Sequence, residues 1–106
     1  MNRQQQIDQF VAQAHQLAVQ RLRERPERVG EVKMQLARWR SQTGPTRSDA
    51  YWSEWEALLE GPLETLTHVV CADTDHAMDL RNVSPMSVLI TQAERSQLLR
   101  QARQGA

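Results

Sequence analysis

Apolar residues recur along the first quarter of the chain at steps of three and four: Ile7, Phe10, Val11, Ala14, Leu17, Ala18 and Leu22. That spacing brings them to one side of an α-helix. Gln4, Gln5, Gln6, Gln9, Gln13, Gln16 and Gln20 fall mostly outside the stripe. The pattern predicts a long amphipathic helix over residues 3–24, ended by Pro26, which lacks an N–H and disfavours helix in the residue before it. Pro26 also suits the first turn of a second helix. The apolar line of that helix is Val29, Val32, Leu36 and Trp39, and Gly44-Pro45 closes it. Residues 43–47 read as a loop, and Ser48 as the N-cap of a third helix with Asp49 in its first turn.

The third helix carries Tyr51, Trp52, Trp55, Leu58 and Leu59 and stops at Gly61. Pro62 opens a fourth, with Leu63, Leu66, Val69 and Val70 on one face. Residues 72–75 read as a turn and 75–82 as a short helix containing Met78 and Leu80. Ser84-Pro85 begins another short turn bearing Met86, Val88, Leu89 and Ile90. Thr91-Gln92-Ala93-Glu94 is a capping box, in which the Thr oxygen accepts the Glu94 N–H while Glu94 reaches back. Leu98 and Leu99 lie in a last helix expected to fray at Gln104-Gly105-Ala106. Short connections of this kind favour a compact bundle whose sequential helices pack antiparallel. The expected fold is all-α, a single domain over 1–106, with five or six helices, two long ones first and shorter ones wrapping them.

Composition narrows the function classes. One Phe, one Tyr and three Trp supply all the aromatic bulk, so a core of this size leaves little to enclose a large cofactor, and none is expected. A single cysteine, Cys71, excludes an internal disulfide and fits a reducing compartment. No stretch approaches the roughly 18 continuous apolar residues of a membrane span, and Met1 to Gln6 lacks the apolar core of a signal peptide. The cytoplasm is the expected location.

Net charge is zero but blockwise. Residues 1–47 hold nine cations against four acids, residues 48–80 hold eight acids and no Lys or Arg, and residues 81–106 hold four Arg against Glu94. Such blocks either hold the chain's own helices in register or present faces of opposite sign to partners.

Candidate chemistry is sparse. His68, Cys71 and His76 offer metal-ligand types within nine residues, with Asp73, Asp75 or Asp79 as a fourth ligand. They lack framework spacing, and Cys71 ends an apolar run where it behaves as a small hydrophobe. The same aspartates lack the glycine and closing Glu of a calcium loop. There is no glycine-rich phosphate loop, GxSxG elbow or HExxH, so neither catalytic nor metal residues are assigned and the chain is expected not to be an enzyme.

Two binding surfaces remain. Tyr51, Trp52, Glu54 and Glu56 on the third helix form an acidic aromatic face, and Trp and Tyr are enriched at interaction hot spots. Trp55 and Trp39 are expected in the core, with Tyr51 or Trp52 at least partly accessible. The rival is nucleic-acid binding through Arg21, Arg25, Arg28, Arg38 and Arg40, with Trp39 available for stacking. Against it, Glu24, Glu27 and Glu31 interleave at helical spacings that suit intramolecular pairs.

The segment from Tyr51 to Leu63, then Asp79-Leu80-Arg81-Asn82-Val83-Ser84-Pro85-Met86, then Glu94-Arg95 and Leu98-Leu99-Arg100 resembles a group of small bacterial helical proteins. They carry a W-x-x-W/L-L-x-G-P-L segment, an L-R-x-x-S-P-F segment and a closing E-R helix. Met86 stands where the group has Phe, and Val88 where it has a small residue. The resemblance covers roughly the second half of the chain. It implies a place beside toxin–antitoxin or defence genes and an antitoxin-like or accessory role, and it brings no catalytic residues. The leading expectation is therefore a non-enzymatic protein that binds and neutralises or regulates a partner protein, such as a toxin or nuclease. The alternative is a nucleic-acid-binding transcriptional regulator using the arginine-rich second helix. A homodimer joined through the first helix is a third.

Overall fold

A computed structural model describes residues 3–104. They form six α-helices: α1 (Arg3–Glu24), α2 (Val29–Thr43), α3 (Asp49–Glu60), α4 (Leu63–Val70), α5 (Asp75–Asn82) and α6 (Gln92–Gln104). Two 3₁₀ turns, Pro26–Arg28 and Pro85–Leu89, precede α2 and α6. The all-α bundle is the one the hydrophobic pattern predicts. The expected fraying at Gly105 and Ala106, and the reading of Met1 and Asn2, lie outside the described residues. Among those described, no helix is long and apolar enough to cross a membrane.

Helix ends follow from local chemistry. Proline at residue 26 tightens the entry to α2 into a 3₁₀ turn rather than joining the helix itself. Gly44 ends α2 at φ +66°, a left-handed conformation that an L side chain rarely tolerates. Ser48 does not cap α3: its backbone is helical and its side chain makes no cap hydrogen bond. The turn is closed instead by Asp49, whose carboxylate accepts from the Thr46 N–H at 3.2 Å and from the Thr46 hydroxyl at 3.3 Å. Thr74 caps α5 by accepting from the Ala77 N–H at 3.0 Å. The capping box of α6 is complete, with Glu94 N–H donating to Thr91 Oγ1 at 3.1 Å and Thr91 N–H to Glu94 Oε1 at 2.8 Å.

The core gathers Ala18, Val19 and Leu22 of α1, Val32 and Leu36 of α2, and Trp52, Trp55 and Leu59 of α3 around the smaller elements. Leu66, Val70, Leu80, Met86 and Leu89 complete it. Trp55 is fully enclosed, at 0% exposure. Helices α2 and α3, α3 and α4, and α4 and α5 pack in sequence, whereas α1 departs from sequential order and packs chiefly on α6, α4, α5 and the turn before α6. The apolar stripe of α1 therefore splits. Its C-terminal half is buried, but Ile7 is 42% exposed and Phe10 and Val11 are half-buried. His15 and Val19, outside the predicted stripe, are buried in their place.

Candidate functional site

The third helix presents less to solvent than its sequence suggested. Both of its tryptophans are turned inward and tied to the far end of α5: Trp55 Nε1–H donates to the Leu80 carbonyl at 2.9 Å, and Trp52 Nε1–H to the Val83 carbonyl at 3.1 Å. Trp52, at 8% exposure, is thereby removed from the partner-facing set. The reason is that an indole buried on a core face still needs an acceptor for its N–H, and the carbonyls ending α5 still need donors. Trp39 is half-buried and packs tilted against Trp52, with ring centroids 6.2 Å apart.

Tyr51 is the accessible ring. Its hydroxyl donates to Asp79 Oδ2 at 3.2 Å, a bond that, with the carboxylate's charge, raises the phenol above its ordinary pKa. Beside it, His76 Nε2 meets both carboxylate oxygens of Glu54 at 2.8 and 2.9 Å, and the Tyr51 and His76 rings lie 6.1 Å apart. The structure thus joins Tyr51 and Glu54 to two residues of α5 that sequence reasoning had placed in other roles. Glu56 belongs to a different contact, accepting from Arg40 Nη1 at 2.5 Å, and Glu60 pairs with Lys33 at 3.1 Å. These two pairs link the basic α2 to the acidic α3, the self-complementary use of the charge blocks. Among the described residues the remaining acids of residues 48–80 have no such cation: Asp49 is held by Thr46, Glu54 and Asp79 are bonded as above, and Glu64, Asp73 and Asp75 are exposed without an ion pair.

The arginines are not assembled into one set. Arg21 bonds Glu94 and the Leu89 carbonyl, Arg28 bonds Glu31 at 2.7 Å, and Arg40 bonds Glu56. Those partners lie on four elements. Among the described residues Arg38 reaches only Gln35, at 3.4 Å, and Arg25 has no carboxylate partner.

His68 is exposed, His76 is engaged by Glu54, and Cys71 is half-buried. Burial pushes the Cys71 thiol above its ordinary pKa, and Arg81 and Arg23 offset only part of that rise. Among the described residues no three His, Cys, Asp or Glu side chains gather closely enough to hold a metal.

A second site was not read from the sequence. A cleft of about 280 Å³ opens between the N-terminal half of α1, Trp39 and the segment from Arg81 to Ile90. His15 and Arg81 line it. His15 is 7% exposed; its Nδ1–H donates to the Val11 carbonyl at 2.8 Å, while its Nε2 is buried without a partner. Burial lowers its pKa to about 4, with the Arg81 charge adding a smaller push, so the ring is neutral near pH 7. Its sequence signal was the step Val11–His15–Val19, at i, i+4 and i+8, which runs from the apolar stripe at Val11 to buried Val19.

Comparison with known protein families, curated proteins and solved structures gives no match, so the functional reading rests on this geometry.

Proposed function

We propose that the protein acts by binding, as a non-enzymatic partner that neutralises or regulates another protein in the manner of an antitoxin. The observation that carries this reading is the face where Tyr51 and Glu54 of α3 meet His76 and Asp79 of α5. It belongs to a 33-residue stretch without a single Lys or Arg. A like-signed surface steers a basic partner and rejects an acidic one, and a half-buried tyrosine supplies a rigid amphipathic anchor. The partner chemistry it suits is a basic groove such as a toxin or nuclease uses to hold nucleic acid.

The test is co-expression with the product of the adjacent gene, followed by gel filtration and a growth-arrest rescue assay. A stable complex is expected, weakening with salt and lost in the Glu54→Lys, Asp79→Lys double variant while its helical circular dichroism is retained. No co-elution and no rescue would overturn the reading. A nucleic-acid-binding regulator is favoured by Arg23, Arg25, Arg38 and Arg47, which have no carboxylate partner among the described residues. It requires salt-sensitive DNA binding that falls on Arg25→Ala and Arg38→Ala.

A further inference from the structure

The cleft on α1 is independent of the acidic face and carries chemistry of its own. Arg81 is only 9% exposed, yet among the described residues no carboxylate pairs with it. Its Nη1 donates to the Val70 carbonyl at 2.7 Å and the Ala72 carbonyl at 3.0 Å, which leaves Nε and Nη2 without a protein acceptor. The carbonyls ending α4 offer partial negative charge, but a buried full charge is better satisfied by a full counter-charge. Among the described residues none is built in, because no acidic residue lines the cleft. A second cation stands at the same opening: Arg95, exposed and without a carboxylate partner, lies 5.8 Å above the Phe10 ring. The rest of the lining is largely apolar, including Phe10, Val11, Met86 and Ile90.

We propose that this cleft binds a small apolar carboxylate, its carboxylate group on Arg81 and its hydrocarbon body against Phe10, Val11, Met86 and Ile90. A planar carboxylate matches the guanidinium fork, whereas a phosphate would press further oxygens against apolar walls. His15 senses the anion. An anion on Arg81 offsets the smaller of the two effects that lower the His15 pKa; burial, the larger, remains, so the ring's titration midpoint moves upward while the ring stays neutral near pH 7.

The test is nuclear magnetic resonance titration of the full chain with benzoate and hexanoate, with benzamide as the neutral isostere and inorganic phosphate as a third arm. Saturable shifts are expected at the His15 ring and at Arg81 Nε–H. Benzamide should bind at least about tenfold more weakly, and benzoate should move the His15 titration midpoint upward from about 4. Arg81→Gln should abolish binding, but Arg81 also holds the end of α4. Ala14→Leu therefore serves as the second variant: it fills the cleft from α1 and should lose binding with the helical spectrum unchanged. Equal binding of benzamide or phosphate, an unmoved His15 midpoint, or undiminished binding by Ala14→Leu would each overturn the proposal.

Discussion

Replacing Trp55 by Phe probes the centre of the fold. The indole is fully enclosed, and its Nε1–H is bonded to the Leu80 carbonyl at 2.9 Å. Phe keeps an aromatic ring but loses the donor and the second ring. Truncating a buried Trp to Ala costs about 3–5 kcal/mol, so a ring-retaining change forfeits roughly a third of that, about 1–2 kcal/mol. The lost hydrogen bond adds about 1 kcal/mol; the penalty is held there because the Leu80 carbonyl still accepts from the Val83 N–H at 3.2 Å. The sum, about 2–3 kcal/mol, is a large share of the roughly 5–15 kcal/mol of a typical domain. It corresponds to a fall in Tm of about 10 °C or more. Urea unfolding followed at 222 nm measures it. Trp39→Phe is the internal control, because that ring is half-buried and its N–H has no protein acceptor; it should cost less than about 1 kcal/mol. A Trp55→Phe midpoint indistinguishable from the parent, or from Trp39→Phe, would refute the placement of Trp55 as the enclosed, hydrogen-bonded centre.

His15 makes stability depend on pH in a defined window. Its ring titrates near 6.5 when unfolded and at about 4 in the fold, so between those values the unfolded state binds a proton that the native state does not. Stability is full above pH 6.5 and falls as pH drops to 4, by about 3 kcal/mol in all; denaturant midpoints measured across this range should show the slope in the parent and lose it in His15→Asn. Thr91→Ala removes the hydroxyl half of the α6 capping box and should lower stability by about 1 kcal/mol, read by thermal melting. The two glycines of α2 give opposite signs. A Cβ at Gly30 meets nothing within 4 Å, so Gly30→Ala in the first turn of α2 should raise stability by up to about 0.5 kcal/mol, whereas Gly44→Ala forces a side chain into φ +66° and should lower it by about 1–2 kcal/mol. Equal effects at the two sites in paired melts would contradict the assigned backbone.

The elements were legible because their signals are local. Three- and four-residue spacing, Pro26, Gly44, Gly61 and the Thr91–Glu94 box act within a turn or two, and α1 ends where its pattern did. What sequence reasoning missed depends on which helices meet. The sequence leaves open whether Tyr51 or Trp52 is the accessible ring; Trp52 turns inward because the end of α5 offers a carbonyl 31 residues away. Ile7 continues the apolar stripe but remains exposed, where α1 is less covered. His15 stands among the glutamines of α1 and carries no local signal of a site. Its burial, and the unpaired Arg81 beside the same cleft, follow from the packing of α1 against α5 and the turn before α6. The acidic stretch was visible as composition, but only the fold separates Glu56 and Glu60, matched to α2, from Glu54 and Asp79.

The bonds between α3, α4 and α5 close a ring of mutual dependence. Indoles from α3 satisfy carbonyls at the end of α5, and Arg81 of α5 satisfies the carbonyl of Val70, the last residue of α4. Only Gly61 and Pro62 separate α4 from α3. Helices of eight residues, as α4 and α5 are, do not persist alone in water. Each here is terminated by a neighbour, so neither can unravel without releasing the other two. The trio should open as a single cooperative unit, its amides exchanging with solvent together despite the shortness of two of its members.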